Sequence, residues 1–234
     1  MSDWISFYDF KHSVIYVNAR HRDVHYRTIA GDIRAYVPSP TANVLDYGCG
    51  EATSADFLAA ACEHLTMVEA APNVRAALKA RHAGNPKISV LTPDETAALP
   101  AGSLDLIVMH SVAQYLKPAE LDRLLGVFHR LVKPDGLVII GDVVPLNLAA
   151  PAAAFALLRF AVANGFFWAA VGGLMRIFVS DYLRLKKTVG MSHYDAAAML
   201  EKLKTAGYSA ERTPRNIGHN PWRMTFLARP AAKD

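Results

Sequence analysis

The stretch Val44-Leu45-Asp46-Tyr47-Gly48-Cys49-Gly50-Glu51-Ala52, with Val68-Glu69 downstream, constrains this chain more than anything else in it. An apolar run ends in an acid and two closely spaced glycines follow. Thr53 to Cys62 then read as a helix, and a second apolar run closes on a second acid. That order is a βαβ unit: strand, tight turn, helix, parallel strand. Glycines in the turn let the backbone bend sharply and approach a ligand with no Cβ in the way. The second acid, about 20 residues on, falls where a carboxylate accepts hydrogen bonds from both hydroxyls of a ribose. The unit is built to hold a nucleoside.

The turn decides which nucleoside. A dinucleotide fingerprint needs G-x-G-x-x-G, and here the third position is Thr53, after Gly48 and Gly50. No G-x-x-x-x-G-K-[ST] phosphate loop occurs anywhere in the sequence. What remains, acid-x-Gly-x-Gly, resembles motif I of the class I S-adenosylmethionine-dependent methyltransferases, in the branch that includes the ubiquinone-biosynthesis type. That ligand carries a sulfonium cation, an amino group and a carboxylate but no phosphate. An acid at the strand end suits it and would oppose a pyrophosphate.

Further motifs follow in the family's order. Asp46 to Ala52 matches the first, with Ala52 where the family often has a third glycine. Pro93-Asp94-Glu95-Thr96-Ala97-Ala98-Leu99-Pro100 resembles the loop written G-D-A-x-x-L-P. Ser103 to Ser111 looks like the fourth-strand motif, and Leu131-Val132-Lys133-Pro134-Asp135-Gly136-Leu137 like the turn into the fifth strand. Together they cover about residues 40–145. The resemblance implies S-adenosylmethionine as cofactor, held by Asp46, Gly48, Gly50 and the ribose acid Glu69. It places Glu95 at the adenine-contacting acid, with Asp94 as a neighbour able to take that part. By analogy of position, Tyr16 and Arg20 of the N-terminal segment fold over the cofactor, and His110 adjoins it at the fourth strand's end.

The periodicity predicts strands at about 43–47, 65–69, 87–91, 104–110, 137–142, 208–213 and 223–229. Helices are predicted at about 22–36, 53–62, 73–82, 118–132 and 193–206, the last capped by Ser192 and closed by Gly207. Strands separated by helices imply a parallel sheet, and the last two strands, joined through the turn-rich 214–221, an antiparallel hairpin. The expected fold class is α/β: a Rossmann-like, mostly parallel, seven-stranded sheet with that C-terminal hairpin and an apolar helical insertion after the fifth strand. One domain is expected, made of a cap segment 1–40, a cofactor-binding core 41–145, a lid 146–190, and a last helix with hairpin 191–234.

The insertion bears on the acceptor. From Val143 to Met175 the sole charge is Arg159, and Phe155, Leu157, Leu158, Phe160, Phe166, Phe167, Trp168 and Leu174 leave no polar face. A helix apolar all round is buried in protein, in lipid or against a greasy ligand. Arg159 and Gly165 interrupt the run, so a spanning helix is not expected; a lid over the acceptor is. Residues 176–234 hold eleven Lys or Arg against five Asp or Glu, and Arg184-Leu185-Lys186-Lys187 directly follows the apolar stretch. Greasy helices beside a basic patch point to an acceptor with a long apolar body, or to peripheral contact with an anionic membrane face.

Methyl transfer needs a general base only where the acceptor is a hydroxyl or a protonated amine. His110, Tyr115 and His219 are the candidates for contact with the reacting atoms, each with a structural alternative: a hydrogen-bonded strand-end histidine, packing on the adenine, a hydrogen-bonded turn. Two cysteines, Cys49 and Cys62, make no disulfide framework, and no Cys/His spacing resembles a zinc site, so no metal is expected. The N-terminus reads as lacking a signal peptide, which gives a cytoplasmic expectation, with the inner face of a membrane as the place of any peripheral contact. Transfer to an O or N atom of a hydrophobic small molecule or lipid is the leading function. An RNA or protein methyltransferase and a non-catalytic cofactor- or lipid-binding module are the other two. Against nucleic acid, the insertion is apolar where phosphate contacts need Lys and Arg.

Overall fold

The computed structural model describes Ile5, Ser6, Tyr8, Asp9 and residues 16–179 and 191–232. Arg184, Leu185, Lys186 and Lys187, and the N-terminal aromatics Trp4, Phe7 and Phe10, lie outside the described residues.

Seven strands form one sheet in the order β3-β2-β1-β4-β5-β7-β6. They are β1 (Asn43–Tyr47), β2 (His64–Val68), β3 (Ile88–Leu91), β4 (Leu104–His110), β5 (Val132–Val143), β6 (Tyr208–Arg212) and β7 (Met224–Pro230). The first five run parallel, while β7 pairs antiparallel with both β5 and β6. The helices are α1 (Ala19–Arg34), α2 (Ala55–Ala59), α3 (Pro72–His82), α4 (Pro93–Thr96), α5 (Pro118–Leu131), α6 (Ala150–Asn164), α7 (Phe167–Val179) and α8 (Ala196–Thr205). The Rossmann-like α/β class and the terminal antiparallel hairpin are as the pattern implied.

The central strands are apolar on both sides because both sides are covered. Along β4, Leu106 and Val108 pack with Leu58 of α2 and Val74 and Leu78 of α3, on the side that also takes Ile33 of α1. Ile107 and Met109 point the other way, into Leu121, Leu125 and Phe128 of α5 and Met199 and Leu203 of α8. The period-two alternation of a strand thus feeds two separate cores. Strand order reverses between β1 and β4, so the loops after these strands diverge and open a crevice at their carboxyl ends.

Local chemistry corrects several boundaries. The helix expected at 53–62 is shorter, Ala55–Ala59. The helix expected at 193–206 starts at Ala196, because Asp195 and not Ser192 is its cap: the Asp195 carboxylate accepts from Ala198 N at 2.6 Å. Ser192 Oγ donates instead to Leu116 O at 2.7 Å. Gly207 does terminate the helix, at φ +90. The apolar insertion is a helical hairpin, α6 and α7, broken at Gly165 in the left-handed conformation (φ +72). No helix among the described residues is long and apolar enough to cross a membrane.

Candidate active site

Beyond the carboxyl ends of β1, β2 and β4 lies a cavity of about 750 Å³ with two chemically different ends. Asp46, Gly48, Gly50, Glu69 and Asp94 line one; His21, His25, His110, Tyr115, Asp142, His219 and Arg223 line the other. The volume falls within the range of small-molecule sites.

The acid end is built on the glycine turn. Gly48 N and Cys49 N both donate to Val68 O, at 2.8 and 3.2 Å, which folds the turn back onto β2. Gly48 (φ +75), Gly50 (φ +60) and Ala52 (φ +39) all occupy the left-handed region, so Ala52 carries strain at the position where the resembled family often has glycine. A Cβ on Gly48 would lie 2.3 Å from Val112 Cγ2, and one on Gly50 2.6 Å from the Tyr26 hydroxyl. The Glu69 carboxylate accepts from Gly50 N (2.9 Å) and Ala71 N (2.7 Å), one bond per oxygen. The two oxygens together offer about four lone-pair sites, so the carboxylate keeps acceptor capacity beyond its backbone partners. The arrangement fits a nucleoside bearing cations: narrow backbone, buried acids and residual acceptor capacity.

Burial lifts the Asp46 carboxyl to about 7, and the neighbouring Glu69 adds to the lift. Burial also raises Glu69, against the backbone N–H groups of Ala71, Gly50 and Ala70 and the nearby Arg75 charge. A cation bound here restores the ionised form of Asp46, so its affinity should rise with pH through 7 and fall below it. Calorimetry with S-adenosylmethionine should show binding about tenfold weaker at pH 6 than at pH 8, since one group loses about a tenfold share of its ionised form over that interval. An equal affinity at both pH values would mean that Asp46 does not face the cation.

Asp94, not Glu95, lines the cavity. Thr92 and Glu95 form a capping box at the start of α4: Thr92 N donates to Glu95 Oε2 (2.7 Å), and Glu95 N donates to Thr92 Oγ1 (3.1 Å). Asp94 faces the cavity in place of Glu95, and the carboxylate expected to meet the adenine is occupied by the capping box. The pattern Thr-Pro-Asp-Glu already carries the signal for it. Tyr16 does line the cavity, but Arg20 is aimed elsewhere. Its Nε donates to Asn164 O at the end of α6, where a cation meets the free carbonyls of a helix terminus. Arg20 is not among the residues that line the cavity.

Tyr26 does what position alone did not reveal. Its hydroxyl accepts from Glu51 N at 2.9 Å and from the Tyr16 hydroxyl at 3.1 Å, which holds α1 across the glycine turn. Burial, then Tyr16, raises the Tyr26 phenol well above its ordinary value, so it stays protonated.

At the other end, two strand tips carry strained residues. Ser111 (φ 59) follows β4, and Asp142 (φ 61) is the residue before the last of β5. Such backbone clusters at functional sites. The Asp142 carboxylate accepts from Ser111 Oγ, from Arg223 Nη1 and from Asn216 Nδ2. Asn216 Oδ1 in turn accepts from Asp142 N (3.2 Å) and Thr225 Oγ1 (2.8 Å), and Asn216 Nδ2 also donates to Asn220 O (3.0 Å). This network fastens the β6–β7 loop to the tips of β4 and β5. The apolar run ending Gly141-Asp142 shows the same strand-tip acid pattern as Asp46, a readable signal.

His110 and His219 are held differently. His110 Nε2 lies 3.2 Å from Ile217 O and Nδ1 3.2 Å from Ser111 Oγ, so both ring nitrogens face protein groups. His219 stacks on Phe160 (centroids 4.5 Å, planes 20° apart) and meets His21 and His25 edge-on, and among the described residues its contacts are ring contacts. Burial lowers His219 to about 4, which leaves it neutral at ordinary pH. Tyr115 packs edge-on against Tyr8 at 5.7 Å.

Comparison with known proteins places this architecture. Residues 45–140 match a family described as "Methyltransferase domain". No curated protein sequence matches. Among solved structures, DhpI in complex with SAH superposes with TM-score 0.62 at 14% identity, covering 98% of this chain and 96% of that one. The mitomycin 7-O-methyltransferase MmcR gives 0.63 at 18%, over 98% of this chain and 61% of that one. The Burkholderia thailandensis 1,6-didemethyltoxoflavin-N1-methyltransferase, with 1,6-didemethyltoxoflavin and S-adenosylhomocysteine bound, gives 0.60 at 16%, over 98% and 86%. The chain shares the Rossmann-like fold of these methyltransferases, and its residues 45–140 carry the match to the methyltransferase domain family.

Proposed function

We propose that the protein transfers a methyl group to an O or N atom of a hydrophobic small molecule. The observation that carries this is the cavity's division: an acid end for the cofactor, and an aromatic and histidine end roofed by α6 through Ala153 and Leu157. The mitomycin and toxoflavin enzymes, by their names, act on small molecules at O and N, which supports the same class here.

When bound, S-adenosylmethionine supplies a methyl group on a sulfonium sulfur. Asp46 and the turn at Gly48 and Gly50 would hold its methionine portion, Glu69 its ribose hydroxyls and Asp94 its adenine. The remaining task is alignment: the acceptor atom must lie in line with the methyl carbon, opposite the sulfur, with water excluded. His25, His219, Tyr115 and the Asp142–Arg223 pair surround the space where it would sit. For an acceptor hydroxyl, His219 is the base, being neutral and, among the described residues, not engaged in hydrogen bonds. His110, with both nitrogens against protein groups, positions the loop instead. A lipid acceptor, approached from a membrane face over α6 and α7, falls within the same substrate class.

Labelled S-adenosylmethionine incubated with lipophilic extracts tests the proposal. Label is expected in an organic-soluble product and not in RNA or protein; the reverse partition would overturn it. With that product in hand, His219→Ala should lower kcat about 100-fold with cofactor affinity unchanged, as for loss of a general base. If kcat survives, His219 only packs.

A further inference from the structure

The outer faces of α6 and α7 are the wrong kind of surface for a helix pair standing in water. On α6, Phe155, Arg159 and Val162 recur at helical spacing on the exposed side, with Phe155 59% and Val162 66% exposed. On α7, Trp168, Gly172 and Met175 do the same, with Trp168 82% and Met175 68% exposed. An outward stripe normally carries Lys and Glu. Here the large side chains are apolar or aromatic, and Phe155 extends the surface onto the β6–β7 loop through an edge contact with Trp222 at 5.9 Å.

The charges are one-sided. From Val143 to Ser180 the sequence has Arg159 and Arg176 and no acid, and the next residues bring Arg184, Lys186 and Lys187 against Asp181 alone. Arg159 and Arg176 are both exposed. A second copy docked on this face would set arginine against arginine, with no carboxylate on the hairpin to pair them. An anionic lipid surface matches both halves of the pattern: headgroup phosphates meet the guanidinium groups, and Trp and Phe settle at the polar–apolar boundary.

We propose that α6 and α7 dock on an anionic bilayer through Phe155, Val162, Trp168 and Met175, flanked by Arg159 and Arg176. Helix α6 then has a function on each side. Ala153 and Leu157 face the cavity, while Phe155 faces the lipid, so a greasy acceptor passes from membrane to site beneath a single helix. In placing the acceptor in the bilayer this rests on the reading above; the docking itself rests only on the exposed side chains.

Co-sedimentation of the full chain with vesicles tests it. Binding is expected to vesicles containing about 30% phosphatidylglycerol and not to pure phosphatidylcholine, and to weaken in high salt. The triple variant Phe155→Ser/Trp168→Ser/Met175→Ser should partition about tenfold more weakly, and so should Arg159→Glu/Arg176→Glu. Both should bind S-adenosylmethionine like the unaltered chain, which shows that they are folded. Equal binding to both vesicle types, no binding to either, or partition unchanged in the triple variant would overturn the proposal. So would a stable dimer, by sedimentation equilibrium, that the triple variant dissociates. Vesicle binding without any methyl transfer would leave the docking standing and remove the acceptor reading.

Discussion

Substituting Gly48 by valine is expected to weaken S-adenosylmethionine binding about 100-fold or more, a loss of about 2.7 kcal/mol. Two causes add. The residue sits at φ +75, where a β-branched side chain is strained, and the new Cβ would meet Val112 Cγ2 at 2.3 Å. The turn must therefore move, and with it the N–H groups that fold back onto Val68 O. Gly102→Ala separates the causes: Gly102 is also left-handed, at φ +61, but an added Cβ meets nothing within 4 Å. That variant should lose about 1 kcal/mol of stability and no cofactor affinity. Calorimetry on both variants, beside urea unfolding, decides the matter. A Gly48→Val protein that binds normally would place the cofactor elsewhere.

Removing the Asp142 carboxylate should cost about 3 kcal/mol or more in urea unfolding at pH 7. Asp142 and Arg223 are mostly buried, with side chains 11% and 20% exposed, and alanine leaves the guanidinium and the Asn216 amide without their carboxylate partner. Alanine must also adopt the φ of 61, which asparagine tolerates better. Asp142→Asn should therefore lose less. Burial alone would raise the Asp142 carboxyl, but Arg223, His110, Ser111 and Asn216 together hold it below its ordinary value. The sign follows from that lowering. The charge contributes stability above the unfolded-chain pKa of about 4, and the contribution disappears as pH falls through the lower folded value. The gap between the unaltered chain and Asp142→Asn should be full at pH 7 and close in strong acid. A gap independent of pH would assign the loss to packing.

How much of this was legible beforehand depended on the range of the interaction involved. Strand tips were readable, because an apolar run of fixed period ends where its acid begins; Asp46 and Glu69 fell on the cavity for that reason. Glu95 does not line the cavity because two uses of a carboxylate compete within four residues. Thr92 and Pro93 favour the capping box, which turns Glu95 away and leaves Asp94 facing inward. The Ser192 and Asp195 exchange has the same origin, since both are good caps and only tertiary contacts choose. Arg20 depended on where α6 ends in space, and no local pattern encodes that. Tyr26 belonged to an aromatic-rich segment visible in the sequence, but its bond to Glu51 N joins positions that only the folded chain brings together. The outward faces of α6 and α7 defied the periodicity itself, because a stripe without polar residues gives no sign of which side is out.

The placement of β7 between β5 and β6 sets an order of assembly. Val138 must find Ala228, and Ile140 must find Phe226, across most of the C-terminal half of the chain, so this closure carries a heavy entropic toll and comes late. Asn216 and Arg223 reach Asp142 only once that strand is seated. The glycine corner, assembled from neighbouring segments, can take shape earlier. A refolding experiment should therefore recover nucleoside capture before it recovers a finished chamber for the molecule to be methylated.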